Sequence, residues 1–404
     1  MAFTAVVWSC VSRAGSPKHG RSSRRVIDLP DAVIITGFFV QLAAALSLSI
    51  SIDRTEGISL IARDCVYLVF ISFLTSFLSR MDTDRMFAIF ARIGFAGVLV
   101  FFIASTLTLA MKGVNAISVY ASGVASANPS VIQYQIFNKL LGTDDPADGT
   151  ASAARHSICL YLNIVSALVL GVAAGSDRFT FSRAVAFSLP IFYSILSLSR
   201  QATVVAAAVI TSFIYLMRSS VLTGLAIAGT AALVVTIPFT PVGELLAERF
   251  VSDIATNDRA NMVRDVTRDV RGYELSGVGN GTQINHFHSE AYFAHNYVFH
   301  YYHQAGVAGL LLALLHVGVI GLLLLNLVFG ASSTDKRVRE RAVIALCLLS
   351  CPAIRYLVGV RGEMEYCSAW AAAFAFAIYR RERGRITLPR DEGTLPRPTL
   401  RPLA

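Results

Sequence analysis

Residues 306–329 read GVAGLLLALLHVGVIGLLLLNLVF and contain no Asp, Glu, Lys or Arg. A membrane helix needs about 20 mostly apolar residues to cross about 30 Å of hydrocarbon, so this stretch is long enough to span. The rest of the chain is similar, because 54% of its 404 residues are hydrophobic and only 15% are charged. Soluble domains carry about 25% charged residues. The sequence therefore predicts an all-α polytopic membrane protein and excludes an ordinary soluble enzyme and a disordered chain.

Other apolar runs have similar lengths, and together they predict about ten transmembrane helices. The predicted spans are Ala32–Ser51, Ile58–Leu78, Met86–Ala110, Ile158–Gly175, Ala184–Leu198, Ala202–Met217, Val221–Thr240, Gly306–Phe329, Ala342–Val360 and Tyr366–Tyr379. The last of them is short, and it requires a thinner bilayer or neighbouring helices in order to cross.

The distribution of basic residues indicates which way these spans face. If the N-terminus is inside and the spans alternate, the inward segments carry 21 Lys and Arg residues and the outward segments carry 11. Cytoplasmic loops of membrane proteins are enriched in Lys and Arg, so both termini are expected in the cytoplasm. For the same reason we interpret the net charge of +9 as a topology signal, and we expect no nucleic-acid partner.

The spans divide the chain into segments of different composition. These are a basic cytoplasmic N-terminus (1–30), transmembrane helices 1–7 (31–240) with an outward loop (111–157), a large outward loop (241–304), transmembrane helices 8–10 (305–380) and a basic cytoplasmic tail (381–404). Within the first outward loop, residues 134–141 fit either an amphipathic helix along the membrane interface or a plain connecting helix.

The loop 241–304 concentrates side chains that can take part in chemistry. Its histidines are His286, His288, His295, His300 and His303, and its arginines are Arg249, Arg259, Arg264, Arg268 and Arg271. The pattern of residues 258–271 predicts an amphipathic helix. Arg264 and Arg268 share one face of that helix, where the simplest interpretation is a solvated surface with Arg–Asp pairs.

Two short motifs follow this helix. The first, Gly277-Val278-Gly279-Asn280-Gly281, fits a tight turn or, alternatively, a nest of backbone N–H groups for phosphate. The second is His295-Asn296. If a helix extends upward through residues 297–309, His295 lies about three turns above the start of the span and faces along the membrane surface. It is then either a surface histidine without a role or a functional group.

Arg200 closes the span Ala184–Leu198 in a very short turn. The excess of basic residues in inward loops disfavours an outward arginine at such a place. Its side chain therefore either extends to the lipid headgroups or binds an anion.

Together these residues resemble the O-antigen ligase and Wzy-type polysaccharide polymerase superfamily. The resemblance rests on Ser199-Arg200 at an outer span end, on Arg259 about eighteen residues before Gly277-Val278-Gly279, and on His295-Asn296 before a glycine-rich span. It covers roughly residues 185–325. It implies a multi-pass glycosyltransferase of the bacterial inner membrane, with its active site facing the periplasm and without a metal or cofactor.

The resemblance also implies the partners and the roles of the site residues. The donor would be an oligosaccharide linked to undecaprenyl diphosphate among membrane lipids, and the acceptor would be a second lipid-linked glycan or lipid A core. Arg200 and Arg259 would bind the diphosphate, because a planar guanidinium matches phosphate oxygens and stays charged. His295 would be the catalytic general base. The supporting residues would be Arg264, Gly277, Gly279 and Asn296.

Two other classes of function stay open. A metal hydrolase would use His286, His288, His295 and Glu290, although their spacing matches no strong zinc signature. A transporter would use charged residues within the spans, which are Arg63, Asp64, Arg92 and Arg355, and it predicts discontinuous helices. We interpret His316, within an apolar span, as a hydrogen-bonded core residue.

Overall fold

The computed structural model describes residues 28–126, 128–132, 135–136, 139–141, 149–176, 180–197, 199–217, 241, 244, 258–284, 296–358 and 366–386. Every regular element in these ranges is helical. The main helices are α1 (Leu29–Ser47), α2 (Arg54–Leu78), α3 (Thr83–Met111), α4 (Ala116–Ala125), α5 (Gly149–Ser176), α6 (Phe181–Leu196), α7 (Arg200–Leu216), α8 (Asp258–Asp269), α9 (Tyr297–Ala331), α10 (Lys336–Val358) and α11 (Tyr366–Ile386). One-turn pieces lie at Leu48–Ile50, Pro129–Ile132 and Lys139–Leu141.

Short polar side chains set the starts of the first helices. Asp28 accepts the Asp31 N–H at 2.8 Å before α1, and Asp53 accepts the Glu56 N–H at 2.9 Å before α2. The first N–H groups of a helix have no partner within the helix, and such caps satisfy them. The polar residues between the apolar runs therefore act as helix boundaries.

The structure is that of a helical membrane protein. Five helices in the described ranges are long and apolar enough to cross a membrane, namely Leu29–Ile50, Arg54–Leu78, Thr83–Met111, Ser157–Ser176 and Tyr297–Ala331. Helices also lie over most of the predicted spans Ala184–Leu198, Ala202–Met217, Ala342–Val360 and Tyr366–Tyr379. The predicted span Val221–Thr240 lies outside the described residues.

The short last predicted span forms the middle of the bundle. α11 packs against α10, α2, α9 and α5, and its residues from Ala371 to Tyr379 are all buried. Many of them are alanines, whose small side chains let neighbouring helices approach closely in a membrane. The aromatic rings of Phe90 and Phe374 meet edge to face at 5.0 Å beside these alanines. Neighbouring helices therefore surround this short apolar run.

Ion pairs join the helix ends on one side of the bundle, which we call the basic face. The face comprises the start of α1, the turn between α2 and α3, the start of α10 and the end of α11. Its pairs are Arg380 with Asp28 and Asp31, Arg381 with Asp82, Arg337 with Asp84, and Arg341 with Asp84 and Glu382. These are segments that the distribution of basic residues assigns to one side of the membrane. The contacts therefore place them on a common face.

The pair between Arg341 and Glu382 should stabilise the fold more than the exposed pairs around it. Both side chains are buried, with 7% and 2% of their surfaces exposed. We expect Glu382→Gln to lower the stability by about 3 kcal/mol, because it removes the buried carboxylate partner of Arg341 and leaves only Asp84, which is 44% exposed. Thermal unfolding of the purified protein in detergent measures this loss.

Arg337→Gln is the matched control, because Arg337 pairs with Asp84 on the same face but is 58% exposed. An exposed pair contributes about 0–1 kcal/mol, so this variant should unfold close to the wild-type temperature. Equal losses in the two variants would contradict the assignment.

Candidate functional site

The chain reverses direction inside α9. Ala305 and Gly306 leave the helical conformation, with φ and ψ of −131° and 17° and of 61° and −149°. Tyr297 and His316 would be about 28 Å apart in a straight helix, yet their ring centroids lie 5.5 Å apart. Residues 297–304, which we call the re-entrant segment, therefore fold back beside the spanning segment 306–331.

This reversal corrects the expectation that the helix extends upward from the membrane. The re-entrant segment packs against the middle of α1, where Tyr297 and Tyr301 form a buried cluster with Val40 and Ala44. Asn296, at its start, lies near the depth of His316 and not three turns above Gly306. The expectation was wrong because a periodic apolar pattern cannot show that Gly306 adopts a positive φ and turns the chain.

The loop Gly277–Gly281 holds the reversal in place through backbone hydrogen bonds. Val278 N–H donates to the His303 carbonyl at 2.9 Å, and Gly279 N–H donates to the Gln304 carbonyl at 3.1 Å. These carbonyls end the re-entrant segment and would otherwise have no partner. On the other side of the break, Val307 N–H donates to the Glu274 carbonyl at 2.8 Å. The loop therefore caps one half-helix and orients the next.

The same loop joins the reversal to the turn between α1 and α2. Asn280 N–H donates to Ser47 Oγ at 3.1 Å, Asn280 Nδ2 donates to the Gly57 carbonyl at 2.9 Å, and Ser51 Oγ donates to the Asn280 carbonyl at 2.6 Å. Gly281 N–H donates to Gln304 Oε1 at 2.6 Å. Because the N–H groups of residues 277–282 all donate to protein atoms, the geometry fits a structural joint and not a phosphate nest.

Nearby, the carboxylate of Glu274 accepts the Gly272 N–H at 3.0 Å. This hydrogen bond holds the pKa of Glu274 below its ordinary value, since it favours the charged form. This exposed hydrogen bond therefore stabilises the turn that precedes the loop Gly277–Gly281.

Gly277 should be essential to the joint for steric reasons. Its φ is +71°, and a Cβ there would lie 2.5 Å from the Gly306 nitrogen and 2.6 Å from the Ala305 nitrogen. We expect Gly277→Ala to open the joint and to speed hydrogen exchange at the amides of Val278 and Gly279. Gly272→Ala is the control, because its φ is +86° with no atom within 4 Å of the added Cβ.

Gly272→Ala should lower the stability by only about 1–2 kcal/mol, which is the cost of placing a residue with a Cβ in the left-handed backbone conformation. Hydrogen exchange of both full-length variants, measured by mass spectrometry, distinguishes the effect of the steric clash from the effect of the backbone conformation. If the two alanines had the same effect on the joint, backbone conformation and not close packing would explain the glycine at position 277.

α8 packs against α9. Asp269 Oδ2, in the last residue of α8, lies 3.7 Å from His303 Nε2 of the re-entrant segment. Met262, Val266, Val270 and Ile284 form one apolar cluster, against which Phe299 and Tyr302 of the same segment pack. The prediction of an amphipathic helix in this region is confirmed, since α8 covers Asp258–Asp269 and its apolar stripe is buried.

Each of the two helices begins beside a residue of the predicted site. Arg259 is the second residue of α8, and Asn296 caps α9 by accepting the N–H groups of Val298 at 2.9 Å and Phe299 at 3.3 Å. His295 immediately precedes that cap and lies outside the described residues, as does the side chain of Arg259. The structure therefore brings α8, which carries Arg259, into contact with the helix that Asn296 caps.

The remaining arginines of α8 occupy its outer surface. Arg264 is exposed, and Arg268 pairs with Asp265 at 3.4 Å and with Asp269 at 3.5 Å. The paired, exposed surface expected for Arg268 is therefore present. Arg264 does not share the buried stripe of the helix.

Arg200 is the first residue of α7, although its side chain is not among those described. Ser199 precedes it, is fully buried, and accepts the Ala202 N–H at 3.3 Å. Asn163 of α5 secures this turn by donating to the Ala202 carbonyl and to Ser194 Oγ. α7 packs mainly against α5, α6 and α10, and the contacts given for the described residues do not link its start to that of α8.

A second group of polar side chains, whose contacts were not predicted from the sequence, lies beside the re-entrant segment. Gln41 Nε2 donates to Tyr301 Oη at 2.5 Å, and both Gln41 and Tyr301 donate to Asp64 Oδ2, at 3.2 and 3.1 Å. Arg63 lies 3.6 Å from the same carboxylate. These contacts tie α1, α2 and the re-entrant segment together. The only sequence signal was the presence of polar residues within apolar runs.

Two further expectations concern histidines. His316 lies in contact with Thr36, whose Oγ1 is 2.9 Å from its Nδ1, so the interpretation as a hydrogen-bonded core residue is confirmed. Across the described ranges, no group of three or more His, Cys, Asp or Glu side chains is arranged to hold a metal ion. His286, His288 and Glu290, which a metal hydrolase would need, lie outside those ranges.

Comparisons with known proteins give no assignment, since no family model matches the chain and no curated protein matches it at a significant level.

Proposed function

We propose that the protein is a membrane glycosyltransferase of the Wzy type, which polymerises or transfers oligosaccharide units carried on undecaprenyl diphosphate. The observation that supports this proposal is the contact between α8, which carries Arg259 near its start, and the re-entrant segment, which follows His295. A helix N-terminus bears partial positive charge and attracts anions. Two such starts, an arginine and a histidine suit a site that stabilises a departing diphosphate.

In this reaction the acceptor hydroxyl attacks the anomeric carbon of the donor sugar, and the bond between that carbon and the phosphate oxygen breaks. His295 takes the hydroxyl proton, and the diphosphate leaves with the bonding electrons. Arg259 and Arg200 compensate the charge that develops on the diphosphate, so no metal is required. Attack opposite the leaving group inverts the anomeric centre.

The acceptor divides this proposal into two forms. A polymerase joins the glycan to a second lipid-linked glycan, whereas a ligase transfers it to lipid A core. We favour the polymerase, because the compact loop 241–304 offers little surface for a large lipid A acceptor.

The proposed site faces the periplasm of a bacterial inner membrane that the chain crosses ten times. The shared basic face supports this arrangement, since cytoplasmic loops collect Lys and Arg. The turn that contains Ser276 lies at the other ends of α1 and α2 and is exposed.

A labelling experiment tests the orientation. In a background without native cysteines, Ser276→Cys should react with an impermeant thiol reagent in spheroplasts. Thr334→Cys, exposed on the basic face, should react only after the membrane is permeabilised. The reverse pattern would place the proposed site in the cytoplasm and remove access to a periplasmic donor.

A transfer assay tests the activity and the roles of the residues. Purified protein with lipid-linked oligosaccharide should give a ladder of longer glycans, and EDTA should leave most of the rate. His295→Ala should lower the chemical step by about 100-fold or more, because it removes the general base. Arg259→Lys should also be severely impaired, because lysine keeps the charge but loses the bidentate geometry.

Arg264→Ala is the matched control on α8, and it should retain most of the activity. Product formed only when lipid A core is added would identify a ligase. A loss of activity in EDTA that zinc restores would favour a metal hydrolase, and near-normal turnover of His295→Ala would reject its role as base.

A transporter is the second candidate, and the reversal within α9 favours it. Discontinuous helices often form substrate sites inside transporters, and the re-entrant segment lies beside the buried group of Gln41, Asp64 and Tyr301. The two candidates differ in their dependence on His295. A transporter should move a lipid-linked glycan across vesicles in the His295→Ala variant, whereas a transferase should lose its product.

A further inference from the structure

The side-chain amide of Gln304 has a single orientation, which three neighbours determine. Its Oε1 accepts the Gly281 N–H at 2.6 Å, so this atom is the oxygen. Its Nε2 donates one hydrogen bond to the Thr282 carbonyl at 2.8 Å and a second one to His303 Nδ1 at 2.9 Å. The side chain is fully buried, and each of its groups has a partner.

This orientation determines the tautomer of His303. Because His303 Nδ1 accepts a hydrogen bond from Gln304, the ring proton of a neutral His303 is on Nε2. That nitrogen is buried and has no hydrogen-bond partner among the described residues. The carboxylate of Asp269 lies 3.7 Å away, slightly beyond hydrogen-bond distance. A buried donor without a partner is costly, so this contact favours a closer approach of Asp269.

The contact joins two helices at the end opposite to their proposed functional groups. His303 lies in the last turn of the re-entrant segment, and Asp269 is the last residue of α8. The two helices also meet through the apolar cluster of Met262, Val266 and Val270 with Phe299 and Tyr302. Apolar packing holds the helices together but permits sliding, whereas a polar pair specifies their register.

We propose that His303 is a positioning residue that sets the register of α8 against the re-entrant segment through Asp269. In doing so it sets the placement of α8, which carries Arg259, relative to the helix that follows His295. Its consequence for catalysis rests on the proposed function, whereas its consequence for the placement of α8 does not.

The test compares substitutions at the two ends of the contact in the full-length protein. His303→Leu and Asp269→Ala should each increase the hydrogen-exchange rate of the α8 amides by roughly tenfold or more, because α8 loses its polar contact with the re-entrant segment. His303→Gln should restore near-normal exchange, since its amide can accept from Gln304 and donate to Asp269. Arg268→Gln is the matched control, because it removes an exposed partner of Asp269 that lies on α8 itself.

Turnover should follow the same order. His303→Leu should lower kcat by roughly 10- to 100-fold, since a displacement of about 1 Å can cost this much, while the KM for the donor should change far less. The double variant of His303→Leu and Asp269→Ala should be no worse than either single variant, as expected for one shared interaction.

The outcomes separate this inference from the proposed function. Normal exchange of α8 in His303→Leu, or a Gln variant as impaired as the Leu variant, would overturn the positioning role. If wild-type protein forms no glycan product but α8 exchanges faster in His303→Leu and not in His303→Gln, the positioning role stands and the proposed reaction fails.

Discussion

The reversal of the chain at Ala305 and Gly306 is the constraint on which the rest of the candidate site depends. It joins the predicted span that begins at Gly306 to a short re-entrant segment, residues 297–304, which the sequence assigned to the outward loop. The re-entrant segment could not lie inside the bundle if its terminal carbonyls were unpaired, since an unsatisfied backbone group in an apolar environment costs several kcal/mol. The N–H groups of Val278 and Gly279 remove that cost.

Close approach of backbone to backbone is what makes this pairing possible. At Gly277 and Gly279, a Cβ atom would lie within about 2.5 Å of the backbone of the break and of the turn after α1. Glycine is therefore required there for space as well as for a positive φ. On the opposite side, buried and exposed ion pairs hold the helix ends of the basic face. The bundle is thus joined by polar contacts at both ends and by small apolar side chains between them.

The segment between α7 and α9 contributes a helix, α8, that packs against α9. α8 meets the re-entrant segment through Asp269 and His303 and through an apolar cluster. Side chains on rigid elements are placed more precisely than side chains on loops. The group of Gln41, Asp64 and Tyr301 fixes the re-entrant segment to α1 and α2, and the contact of His303 with Asp269 relates it to α8.

Much of the fold could be predicted from the sequence because the membrane imposes a local requirement. A helix in lipid needs a run of apolar residues, and such runs identified α1, α2, α3 and the spanning segment of α9 without knowledge of their neighbours. The amphipathic pattern identified α8 for the same kind of reason. Helix direction followed from the alternation of spans, and the basic face agrees with it.

The direction of residues 297–304 was decided only by tertiary structure. Their sequence is compatible with a helix in either direction, and the reversal depends on hydrogen bonds from a loop about 25 residues earlier in the chain. The orientation of Gln304 and the tautomer of His303 likewise depend on Gly281 and Thr282. Hydropathy is a property of each segment, whereas these features are properties of contacts between segments. The sequence by itself therefore determined where helices form in the described ranges, and the folded structure alone decided which of these helices contact each other.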